Sequence, residues 1–188
     1  SQADTIAAGD AGVTYQTGAG KDAVTTTAAL ILADGINDTV IDGGSGVDTL
    51  TVSTAAATLT DSHFTKVSNF EKLTTSGTGN TSVSLGTNFA NTFQSGLTYT
   101  TGTLADGSTL TFNGGLYTGD VKLTSVSSAV GDGAAEDITI VTGSGSDTIS
   151  FTAAAFVGHA ATNATISITS GAGNDSIYLE TGTIVDSA

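Results

Sequence analysis

Closely spaced glycines followed by an aspartate recur in one short pattern. It reads Gly18-Ala19-Gly20-Lys21-Asp22-Ala23-Val24, Gly44-Ser45-Gly46-Val47-Asp48-Thr49-Leu50, Gly143-Ser144-Gly145-Ser146-Asp147-Thr148-Ile149 and Gly171-Ala172-Gly173-Asn174-Asp175-Ser176-Ile177. Glycine lets a backbone turn sharply and come close to its neighbour, so its carbonyls gather on one edge. An Asp at the end of the turn adds a carboxylate. Carbonyl and carboxylate oxygens together suit a hard cation, and Ca2+ takes about six to eight such ligands in irregular geometry. The candidate metal ligands are therefore Asp22, Asp48, Asp147 and Asp175, with Gly18, Gly20, Gly44, Gly46, Gly143, Gly145, Gly171 and Gly173 shaping the loops. Asp38, in Asp34-Gly35-Ile36-Asn37-Asp38-Thr39-Val40, and Asp137, after Gly133-Ala134-Ala135-Glu136, join as looser copies, and Asp4-Thr5-Ile6 has the form of a copy's end.

One such loop would mean little, because Gly and Asp are generic turn formers. Four with a large aliphatic residue two places after the Asp mean more. So does the charge: four Lys plus Arg face eighteen Asp plus Glu, a formal net charge of -14. Few basic partners exist for the carboxylates, and nucleic acid or an anionic membrane would be repelled. A dinucleotide-binding loop is excluded because a strand pattern, not a helix, follows the glycines.

The elements that must position these loops are strands. Alternation follows each copy over Thr49–Ser53, Thr148–Thr152 and Ser176–Glu180, and strands without the glycine-aspartate pattern are predicted at Thr81–Leu85, Leu97–Thr101, Thr109–Asn113 and Asp120–Val126. The aliphatic residues Val24, Val40, Leu50, Ile149 and Ile177 should point inward, one core layer per coil. Asp38 and Asp48, or Asp137 and Asp147, are one short repeat apart, and Asp4 and Asp22 two. Helix is confined to a piece over Asp61–Ser68, capped by Asp61, with weaker stretches at Ala28–Leu32 and Ala153–Val157. The expected fold is an all-β, right-handed parallel β-solenoid (β-roll or β-helix) with calcium-binding Gly-Asp turns. Calcium-type coils fall in residues 1–53 and 131–188 and plainer coils in 54–130, within one continuous solenoid.

Cys, Met, Trp and Pro are absent, which removes disulfides, zinc-thiolate sites and cysteine nucleophiles. Neither a leader nor a membrane-spanning run is evident, and the chain reads as part of something larger. His63 and His159 are the imidazole bases available, and no serine near either lies in a nucleophile-elbow pattern, so no enzyme activity is expected. Threonine-rich strands such as Thr51-Val52-Ser53 and Thr139-Ile140-Val141 are not expected to repeat in register, which speaks against an ice-binding face.

These loops resemble the repeats-in-toxin (RTX) family, whose nonapeptide G-G-x-G-x-D-x-U-x forms a parallel β-roll with calcium between coils. Asp42-Gly43-Gly44-Ser45-Gly46-Val47-Asp48-Thr49-Leu50-Thr51 is the closest copy, while Thr17, Thr142 and Ser170 replace the first glycine elsewhere. The run Asp48-Thr49-Leu50-Thr51-Val52, followed by the stretches from Leu59 to Phe64 and from Val67 to Gly77, is similar to segments of large bacterial surface-layer proteins and giant secreted adhesins. The resemblance implies type I secretion, an extracellular cell-surface location, and calcium ions and other copies of the parent protein as partners. A calcium-binding secretion module of an exported protease or lipase is the alternative.

Overall fold

The structure, a computed structural model, describes residues 2–32, 35, 38–105, 107–125, 137–151 and 166–179. The chain winds as a parallel β-solenoid. Its main sheet has eight strands: β1 (Thr5–Ala7), β4 (Ala23–Thr26), β7 (Thr49–Val52), β10 (Lys72–Thr75), β12 (Leu97–Thr100), β14 (Val121–Ser125), β16 (Thr148–Phe151) and β18 (Ser176–Leu179). A second sheet stacks β8 (Thr58–Leu59), β11 (Thr81–Ser84), β13 (Thr109–Asn113), β15 (Asp137–Val141) and β17 (Ile166–Thr169). Shorter sheets join β2 (Thr14–Gln16), β5 (Val40–Asp42) and β9 (Val67–Ser68), and β3 (Ala19–Gly20) with β6 (Ser45–Gly46). The main sheet runs without interruption through the glycine-aspartate coils and the plainer centre.

Alternating burial explains the winding. In the main sheet Val24, Leu50, Leu73, Tyr99, Leu123 and Ile149 are in register and fully buried. From the second sheet Leu59, Val83, Phe112 and Ile140 line up the same way. The two columns meet at the stacked rings of Tyr99 and Phe112, whose centroids are 5.3 Å apart. Each layer buries apolar area worth about 1.5–3 kcal/mol per large side chain.

Two inward assignments need correction. Val40 is half-buried and Ile41 carries the core position, because β5 belongs to the short sheet and its register places Ile41 beside Tyr15 and Val67. Ile177 keeps its register with Ile149 but is 46% exposed, since β18 is the last strand of its sheet.

The outward positions hold a second correction. Thr25, Thr51, Thr74, Thr100 and Thr124 do stand in register on successive strands, and beside them run Thr49, Lys72, Thr98, Lys122 and Thr148. Sequence intervals hide this because coil length varies: residues bonded across adjacent coils are 18, 26, 23, 26 and 28 positions apart.

Helix is indeed scarce. Ala28–Ile31 forms α1 as expected, while the piece expected over Asp61–Ser68 is a single 3-10 turn, Asp61–Phe64, whose N-cap is Thr60 and not Asp61. The weak helical stretch at Ala153–Val157 lies outside the described residues. A second helix, α2 (Thr87–Thr92), was not foreseen, and its cap comes from another coil: Asp61 accepts the N–H groups of Phe89 at 2.9 Å and Asn88 at 3.3 Å. Phe89 and Phe93 then stack on each other, with Phe64 against their edges. Asp61→Ala is expected to cost about 1–2 kcal/mol in urea denaturation, as for loss of an N-cap. An unchanged midpoint would mean that the aromatic cluster alone holds the helix. Among the described residues no helix is long and apolar enough to cross a membrane.

Candidate metal centre

Each glycine loop ends on an acid placed immediately before a strand of the main sheet. Asp4 precedes β1, Asp22 precedes β4, Asp48 precedes β7, Asp147 precedes β16 and Asp175 precedes β18. Since those strands pair in register, the acids stack into one column along the solenoid. The column is tied by a repeated bond in which the N–H of one member donates to the carboxylate one coil further on. Asp4 donates to Asp22 at 2.7 Å, Asp22 to Asp48 at 2.8 Å and Asp147 to Asp175 at 3.0 Å.

One member escapes the sequence pattern. Glu71 occupies the place after Asp48 and accepts its N–H at 2.8 Å. Glu71-Lys72-Leu73 lacks the glycines but keeps the acid and the aliphatic residue two places later, and that was the available signal. Leu97 and Val121 fill the next two positions without a carboxylate, and the Val121 N–H reaches forward to Asp147 at 2.8 Å. At this break an open cavity of about 320 Å³ is lined by Glu71, Ser95, Asp120, Lys122 and Ser146, among others. Asp38 and Asp137 do not join the column. Asp38 accepts the Gly35 N–H in a turn before β5, and Asp137 begins β15 in the second sheet with its side chain exposed. A separation of ten residues connects two sides of one coil, whereas column neighbours are a full coil apart.

The glycine positions fit the stacking. Gly44 and Gly46, at φ of +82° and +150°, lie so close over the carbonyls of Gly18 and Gly20 that a Cβ would collide with them. Gly171 and Gly173 sit likewise over Gly143 and Gly145, and those two over Tyr117 and Gly119. Thr17 and Thr142, where the first glycine of the motif is lost, donate their hydroxyls to the carbonyls of Gly43 and Ser170 one coil on, at 2.5 and 2.9 Å.

Electrostatically the column is incomplete. Asp22, Asp48 and Asp147 are 1%, 0% and 1% exposed, and each leaves its Oδ2 buried with no hydrogen-bond partner. The four lysines, Lys21, Lys66, Lys72 and Lys122, are all exposed and none is buried beside these oxygens. Burial pushes the Asp48 carboxyl above the ordinary aspartate range. The neighbouring Asp22 and Asp42 push the same way, against the N–H bond from Asp22. A buried charge in this state is costly unless a cation or a proton compensates it. The donor set is oxygen only, from carboxylates and loop carbonyls, which suits a hard cation and no thiophilic metal. Among the described residues no group of three or more acidic or histidine side chains converges to hold a metal, so an ion here would draw further oxygens from glycine-loop carbonyls and water.

His63 is buried, and its Nδ1 accepts the Thr60 N–H at 3.1 Å; burial lowers its pKa. It packs in the 3-10 turn. His159 lies outside the described residues. No family model, curated protein or solved structure matches the chain.

Proposed function

We propose that this chain is a calcium-rigidified structural segment of a bacterial surface layer or surface adhesin, extracellular and without catalytic activity. The supporting observation is the set of buried, unpartnered Oδ2 atoms on Asp22, Asp48 and Asp147 at the ends of stacked glycine loops. Calcium would be held by Asp22 with Asp48 and by Asp147 with Asp175, aided by carbonyls of the adjoining loops. Bound there it supplies positive charge that neutralises the column and joins successive coils. Because the column exists only when the coils are stacked, an ion that binds it stabilises the folded state alone. An acidic chain would then fold where calcium is plentiful.

The test is thermal unfolding by circular dichroism across a range of free calcium, against magnesium and against the Asp48→Ala, Asp147→Ala double variant. The wild type is expected to gain about 2.7 kcal/mol per site at a hundredfold excess over Kd, and the variant to lose most of that gain. A strand signal and melting temperature indifferent to both calcium and chelator would overturn the reading.

A further inference from the structure

We propose that the outer face of the main sheet is a docking surface for an acidic flank of a second copy of this chain. This rests on the reading above, that the chain is a structural segment of a surface layer or adhesin. The face is the longest among the described residues, eight strands at about 4.8 Å spacing. Its outward columns, from Thr5 to Ser176 and from Ala7 to Tyr178, contain no acid, in a protein carrying eighteen. They do contain Lys72 and Lys122, half of the basic residues. The exposed acids Asp4, Asp10, Asp120 and Asp137 lie off this face, in the turns and on the second sheet. The acids beside them in sequence are engaged, Glu71 with the Asp48 N–H and Asp120 with the Ser146 N–H.

Charge selects the pairing geometry. Face against face would set lysine on lysine, so the contact runs from the face of one copy to a flank of the next, a heterologous arrangement that propagates. The threonines favour it as well: β-branched side chains are already held in few rotamers on a strand, so little freedom is lost when they are covered. A uniform threonine face would let the partner slide by one coil. Lys72 and Lys122 flank Thr98 in the same column, two coils apart, and their spacing sets the register. Calcium in the acid column lowers the net repulsion between copies without occupying this face.

Sedimentation velocity over a concentration series at saturating calcium tests the proposal, comparing wild type with the double variant Lys72→Glu, Lys122→Glu. Both lysines are exposed, so the variant should keep the wild-type far-UV spectrum and calcium-dependent melting. The wild type is expected to associate in a concentration-dependent manner and the variant to self-associate roughly tenfold more weakly or not at all. Because the variant keeps its acidic flanks, it should still bind wild type and terminate its growth. A wild type monomeric throughout, or a variant that associates like wild type, overturns the proposal. So does alginate that binds wild type, displaces its self-association and fails to bind the variant, which would give the face to an acidic glycan. Loss of calcium-dependent melting with association intact would instead remove the calcium reading and leave this one standing.

Discussion

Gly44→Ala is expected to destabilise the protein by about 3–5 kcal/mol, and Gly18→Ala by about 1–2 kcal/mol. Both glycines have similar left-handed backbones, at φ of +82° and +91°, so a side chain at either meets the same intrinsic strain. The difference lies in what surrounds them. A Cβ on Gly44 collides with the carbonyl and Cα of Gly18, while nothing lies within 4 Å of one on Gly18. Relief at position 44 would require two coils to separate, which also stretches the 2.7 Å bond from the Ser45 N–H to Gly18 and the one from Asp22 to Asp48. Urea denaturation of the two variants at saturating calcium measures the gap. Equal losses would show that the loops tolerate separation and that glycine serves only the turn.

Asp48→Asn is expected to act in opposite directions with and without calcium. In chelator it should stabilise the fold at neutral pH by about 1–3 kcal/mol, since it removes a buried, uncompensated charge while an amide oxygen can still accept the Asp22 N–H. With calcium present it should abolish the gain at this pair, because a carboxylate ligand is gone. The pH dependence follows the same cause. The folded Asp48 pKa lies above its unfolded value. The group therefore imposes no penalty below the unfolded value, and the calcium-free protein loses stability as pH rises from there through the raised folded value. Calcium-free wild type should thus melt at a higher temperature in mild acid than at neutrality, and that difference should shrink in Asp48→Asn. A variant less stable than wild type in chelator would mean that the carboxylate is compensated within the protein.

The local half of this architecture could be read from the residues. An acid followed two places later by an aliphatic residue marks the start of a strand, and Asp22, Asp48, Asp147 and Asp175 all lie in the column that this predicts. The Asp4-Thr5-Ile6 fragment joins it too. What could not be read is which coil lies on which. Nothing local states that one coil takes 18 residues and another 28, so Asp38 and Asp137 joined the candidate ligands as looser copies and the threonine columns looked irregular. The α2 helix was hidden for a related reason. Gly86 at its N-cap has no side chain, and the capping carboxylate of Asp61 arrives from the preceding coil. Val40 illustrates the smaller error, a shift of one residue that exchanges inner and outer faces.

The parallel ladders also decide how the molecule responds to force. Strands β1 and β18 occupy opposite ends of the main sheet, and every ladder bond between them points along the solenoid axis. Tension applied through the two ends therefore loads the coils in series, so that they peel one at a time and do not shear together. A freed coil of 26 residues releases roughly 85 Å of extended chain, and each carboxylate-to-amide tie between neighbouring coils becomes a separate catch. A chain built this way is expected to lengthen in steps under load, which single-molecule extension would register as a series of separate rips.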